Sequence, residues 1–79
     1  MSQDFDYDPT TDSLYVKVRA GESVNNRIIG DDIVIDLGID GEPVGYDIQR
    51  ASRHPEVIAE ALGRLHQRYA GLSNGNHPN

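Results

Sequence analysis

Aspartates crowd the start of this 79-residue chain: Asp4, Asp6, Asp8 and Asp12. Carboxylates so spaced are the raw material of a calcium loop, because a hard cation is held by several oxygens. An EF-hand loop also needs glycine at its sixth position and glutamate at its twelfth. Counted from Asp4, those positions hold Pro9 and Tyr15. The acids therefore read as one face of a strand followed by turn residues. Asp31, Asp32 and Asp36 invite a divalent-ion reading in the same way. Gly30-Asp31-Asp32 is more simply a turn, and Asp36 a solvent-facing strand residue. His54 and His66 stand twelve apart and His77 lies near the end, so no pair has the i, i+4 spacing of a helical zinc site. No metal site and no cofactor are expected.

Other catalytic chemistry finds no better footing. Ser2, Ser13, Ser23, Ser52 and Ser73 lack the glycine-flanked elbow of a nucleophilic serine. Gly38 and Gly41 follow a strand pattern, but no helix begins there to receive a phosphate. Arg50, Arg53, His54, Arg64 and Arg68 would serve nucleic acid only if they gathered on one surface. Enzyme activity is not expected.

These residues need elements to place them. Phe5 and Tyr7 alternate with aspartates, the period of a strand with aromatics on one face and acids on the other. Asp8-Pro9-Thr10-Thr11-Asp12 is a turn, in which Asp8 accepts a hydrogen bond from two residues on. Leu14, Val16 and Val18 alternate with Tyr15, Lys17 and Arg19 in the plainest strand of the chain. Val24 to Ile29 is a weaker one, since Asn25-Asn26 is poor strand material. Ile33-Val34-Ile35-Asp36-Leu37 is strong. Asp40-Gly41 signals a hairpin, after which Val44, Tyr46 and Ile48 face inward. Strands joined by such short turns predict an antiparallel meander.

Pro55 and Glu56 open a helix, where a missing N–H costs nothing and an acid suits the dipole. Val57, Ile58, Ala61, Leu62, Leu65 and Tyr69 fall on one stripe at 100° per residue. Gly71 is expected to end it. The fold class is therefore α+β: an antiparallel β-meander of five strands with one C-terminal amphipathic helix packed on one face. Residues 4–70 form one domain, and 71–79 are expected to be a disordered tail. The helix should cover the Leu14, Val16, Ile33, Ile35 and Ile48 face. The other face, with Tyr15, Lys17, Arg19, Val34 and Asp36, stays uncovered and is the expected interaction face.

Composition narrows the setting. The net charge is -6, which disfavours nucleic-acid binding, since phosphate neutralisation needs clustered cations. The charge is uneven. Residues 1–48 hold eleven acids against three bases, and residues 49–79 hold two acids against four arginines. An acidic sheet half can steer a basic protein partner. No cysteine is present, so disulfides and cysteine zinc sites are excluded, and a cytoplasmic setting is expected. Neither a membrane-spanning run nor a signal peptide is read in the chain. A domain this small has a thin core, and a homodimer packed through the open face or a sheet edge would supplement it.

Tyr7-Asp8-Pro9-Thr10-Thr11-Asp12-Ser13-Leu14-Tyr15-Val16 resembles the opening motif of domain-of-unknown-function family 2283, small bacterial and archaeal proteins. The resemblance continues through Asp32-Ile33-Val34-Ile35-Asp36-Leu37, Asp40-Gly41 and Val44-Gly45-Tyr46-Asp47-Ile48, and ends near Ala51-Ser52. Its motif residues here are Tyr7, Asp8, Asp12, Leu14, Tyr15, Asp36, Gly41 and Gly45. Family members more often carry Ile-Glu where this chain has Tyr46-Asp47, a change that keeps the inward-large, outward-acidic alternation. The resemblance brings no catalytic residue. Some relatives lie beside small proteins that look like ribonuclease toxins, so it implies an antitoxin-like role. The expected function is a protein-interaction module, antitoxin-like toward a small basic co-encoded partner. The alternative is a ligand-binding or minor enzymatic domain using Tyr15, Lys17 and Arg19.

Overall fold

The structure is a computed structural model that describes residues 4–75, with side chains described through residue 70. Five strands form one sheet: β1 (Phe5–Asp8), β2 (Ser13–Lys17), β3 (Asn25–Ile29), β4 (Ile33–Leu37) and β5 (Pro43–Ile48). A single turn of 3₁₀ helix, Ala51–Arg53, leads into the helix α1 (Pro55–Gly75). Every strand pair is antiparallel. The α+β class, the five strands and the C-terminal helix are as the sequence predicts.

The order of the strands across the sheet is β1-β2-β5-β4-β3. A plain succession of hairpins would set β3 beside β2, but β5 takes that place. The β3-β4-β5 unit is a meander, and β2 lies against β5, which is the Greek-key order for the last four strands. Residues 18–24 carry the chain past the ends of β5 and β4. Three strand spacings are roughly 14 Å, and seven residues reach about 23 Å when extended, so this loop spans the gap. The gain is burial: β5, the most buried strand, takes the middle place and the polar β3 goes to an edge.

Alternation sorts the residues between faces. Leu14, Val16, Ile33, Ile35, Tyr46 and Ile48 point to one side and pack with Ala61 and Leu65 of α1. Val57 and Ile58 add partly buried cover. Leu62 and Tyr69, placed on the same stripe by their spacing, stay exposed at its margins. The helix crosses β2 and β5 and leaves the β1 and β3 edges open. Its first bond runs from the Ile58 N–H to the His54 carbonyl, which makes His54 the capping position before Pro55.

Gly71 does not stop the helix, which continues to Gly75. Glycine costs about 1 kcal/mol in a helix interior relative to alanine but does not forbid helical dihedrals. The remainder of the expected tail, residues 76–79, lies outside the described residues, as does His77.

Candidate functional site

The acidic opening segment builds a turn and a clasp. The Asp8 carboxylate accepts the Thr10 N–H at 3.0 Å, closing the turn around Pro9. Asp12 adopts φ +55°, a left-handed conformation that aspartate tolerates better than most residues. Its carboxylate accepts the Tyr7 hydroxyl at 2.8 Å, the Ser52 hydroxyl at 2.6 Å and the Ser52 N–H at 3.1 Å. Its carbonyl accepts the Ala51 N–H at 2.8 Å. Ser52 and then Tyr7 hold the Asp12 carboxyl below the usual carboxylate range. The first hairpin is thus tied to the segment that launches α1, across forty positions of sequence.

On the open face, Tyr15 of β2 lies across Gly45 of β5 and points its hydroxyl at Asp36 Oδ2 of β4, 3.4 Å away. Gly45 is required by the ring above it: a Cβ there would meet Tyr15 Cζ at 2.8 Å and its hydroxyl closer still. Burial, and next the Asp36 charge, push the Tyr15 phenol up. Lys17 and Arg19 do not join this contact. Lys17 donates to the Gly21 carbonyl at 3.0 Å. Arg19 pairs with Asp40 and donates to the Pro43 carbonyl at 3.1 Å. Gly41, at φ +81°, makes the turn of that loop, a conformation that favours glycine. The three residues that a small-molecule site on this face would need are each held by a different neighbour. Val34 is half-buried beside them.

The second acidic group separates as well. Asp32 turns under the sheet end, where it meets His54 Nε2 at 2.8 Å and the Arg50 guanidinium at 3.0 Å. The His54 contact, and then the Arg50 charge, hold its carboxyl below the usual range. Asp36 faces Tyr15, and Asp31 is exposed. Among the described residues no three His, Asp or Glu side chains gather as metal ligands. The basic residues divide too. Arg50 and His54 serve Asp32, while Arg64 lies near Glu42 and Glu60, and Arg68 pairs with Asp4 at 3.3 Å.

The feature that spacing did not reveal runs along α1. The Tyr46 hydroxyl, beneath the helix, donates to Glu60 at 2.5 Å. Burial and that carboxylate push the Tyr46 phenol up to about 12. Farther along, Tyr69 donates to Asp4, which also holds Arg68. Phe5 and Tyr7, on the helix side of β1, then line with Leu65, Tyr69, Asp4 and Asp6 an open groove of about 560 Å³. The helix stripe was readable in sequence, but its distance from β1 was not. At the opposite edge Ile28 is 70% exposed, with Val24 and Ile29 also exposed.

Residues 4–52 match the model of a family described as Protein of unknown function (DUF2283). The chain belongs to that family. Comparison with curated proteins gave no match, and comparison with solved structures gave none. The DUF2283 segment comprises the whole sheet and closes at Ser52, the residue clasped by Asp12. The helix that covers the core lies beyond the match. The residues on which the resemblance rests have concrete work in this chain: Tyr7 and Asp12 form the clasp, Asp8 the turn, Leu14 the core, Gly41 the loop, and Tyr15, Asp36 and Gly45 the cross-strand contact. No helix in the described residues is long and apolar enough to cross a membrane.

Proposed function

We propose that this chain is a non-enzymatic protein-interaction module that works through the edges of its sheet. One observation carries the reading. Both edge strands are exposed along their whole length and both present apolar side chains, Phe5 and Tyr7 on β1 and Ile28 and Ile29 on β3. An edge strand offers unpaired backbone groups, and natural sheets usually cover or blunt such edges. Self-association suits β3. Pairing about a two-fold axis at Ile28 sets that residue against its mate and Arg27 opposite Ile29, with no like charges facing. A homodimer of this kind would extend the sheet and bury the Ile28 patch.

The finer form of the reading is an antitoxin-like hold on a small basic co-encoded protein, supported by the excess of acids in residues 1–48. Capture of the protein from its own cells, followed by mass spectrometry of intact complexes, tests both parts. A dimer, or a stoichiometric second protein, is expected. Repeated recovery of an 8.7 kDa monomer alone at micromolar concentration would sink the proposal.

A further inference from the structure

The two edges differ in chemistry, and the difference names a partner. In β1 the Lys17 N–H bonds to the Asp4 carbonyl, and Phe5 stands opposite Val16. Antiparallel pairs alternate between residues that exchange backbone bonds and residues that do not. Asp4, Asp6 and Asp8 therefore spend their backbone groups on β2. Phe5 and Tyr7 aim theirs outward, so the free edge offers two N–H groups and two carbonyls.

Side chains alternate in step. Asp6 and Asp8 share the open face with Tyr15 and Ser13, their partners in register. Phe5 and Tyr7 point to the helix side, 55% and 47% exposed, into the groove shared with Leu65 and Tyr69. A strand added to this edge would find apolar cover on one face and carboxylates on the other. Its residues opposite Phe5 and Tyr7 should be apolar and enter the groove. Those opposite Asp6 and Asp8 should be Lys or Arg, because opposite charges on facing strands stabilise the pair and like charges oppose it.

A second copy of β1 does not fit. Every residue that β1 carries on the open face is aspartate, so an antiparallel pairing of two β1 edges through the free backbone groups of Phe5 and Tyr7 sets Asp6 against Asp4, Asp6 or Asp8.

We infer that the β1 edge and the Phe5–Tyr7–Leu65–Tyr69 groove bind an extended segment of a partner protein in which basic and apolar residues alternate. This rests on the interaction-module reading and deepens it by naming the partner's chemistry. Among the described residues no other edge joins free backbone groups, an adjoining groove and an exposed strand carboxylate without a side-chain partner, Asp6, along one line.

The test uses the whole chain and a labelled peptide of alternating lysine and valine, eight residues long. Two controls accompany it: the same composition with the lysines in one block, and a glutamate-for-lysine version. Fluorescence anisotropy should show saturable binding of the alternating peptide, at least tenfold weaker for the block control and absent for the glutamate one. Raising salt from 50 to 300 mM should weaken it severalfold, since exposed charges are screened. Asp6→Lys should lower affinity at least tenfold. Asp6 is exposed and its carboxylate forms no hydrogen bond among the described contacts, so folding should survive. If Asp6→Lys does not fold, methylating the peptide nitrogens that face Phe5 and Tyr7 gives the same readout without changing the protein. Amide shifts should concentrate at Phe5, Tyr7 and Tyr69.

Absence of saturable binding up to about 1 mM, or indifference to both Asp6→Lys and N-methylation, overturns the assignment. Shifts confined to β3 overturn it also, as does a homodimer whose contacts map to β1. Each of these removes the basic segment from β1 and leaves the module reading to be judged by capture from cells.

Discussion

Adding one methyl group to Gly45 should expose how the open face is held together. In Gly45→Ala the new Cβ would lie 2.8 Å from Tyr15 Cζ and nearer to its hydroxyl. Real carbon pairs do not approach so closely, so the ring must swing off β5. The displacement breaks the Tyr15–Asp36 contact, worth about 0.5–1.5 kcal/mol, within an overpacking cost of roughly 1–3 kcal/mol. Alanine in a strand recovers about 0.5–1 kcal/mol of the backbone entropy that glycine loses. The net effect should be a loss of about 1–2 kcal/mol, or roughly 4–16 °C in Tm for a domain this small. Urea and thermal melts followed by far-UV circular dichroism will measure it; the chain has no tryptophan to report fluorescence. The deciding comparison is the double-mutant cycle. With the ring removed by Tyr15→Ala, Gly45→Ala should become neutral or stabilising. A coupling of about 1–3 kcal/mol follows, above the ~0.5 kcal/mol scatter of independent sites. Additive single and double variants would refute the view that Gly45 exists to seat Tyr15.

Other expectations follow from the same geometry. Leu65→Ala should cost about 2–5 kcal/mol, as a large-to-small change at a buried contact between α1 and β2, read by urea melts. Tyr46 keeps its proton to about pH 12 in the folded chain. The stability tied to it is therefore full below the ordinary phenol value of 10 and is lost as pH rises toward 12. Absorbance titration near 295 nm should lose its last-ionising tyrosine in Tyr46→Phe; Tyr7, Tyr15 and Tyr69 are also raised. Asp12 works in the opposite sense. Its lowered value means that its contribution is present above pH 3.8 and is lost as pH falls below it. Asp12→Asn should lower Tm at pH 7 and flatten the acid side of the stability profile. Asp12→Ala should lower Tm further, because alanine at φ +55° adds backbone strain.

The sequence by itself determined the local parts. Alternation of Leu14, Val16 and Val18 with Tyr15 and Lys17 is a property of a few adjacent residues, and so is the stripe from Val57 to Leu65. Strand positions, the apolar face, the Asp8 turn and the helix start were legible for that reason. The helix end was not: Gly71 weakens a helix without forbidding it, and the residues after it continue the coil of backbone bonds to Gly75.

Only the tertiary structure decided which strands meet. Periodicity says which way a side chain points and nothing about which strand lies beside it. The β5 strand displaces β3 from the side of β2 because Tyr46 and Ile48 need cover from both flanks and from α1, while Asn25 and Asn26 tolerate water. Everything of functional interest follows from that choice. It brings Tyr15 over Gly45, Asp12 to Ser52 and Tyr46 to Glu60. It also leaves β1 and β3 as the two free edges, one acidic beside an aromatic groove and the other polar with Ile28 and Ile29 exposed at its end. Contacts between residues tens of positions apart form when a whole sheet closes on one helix, and no stretch of sequence holds that information alone.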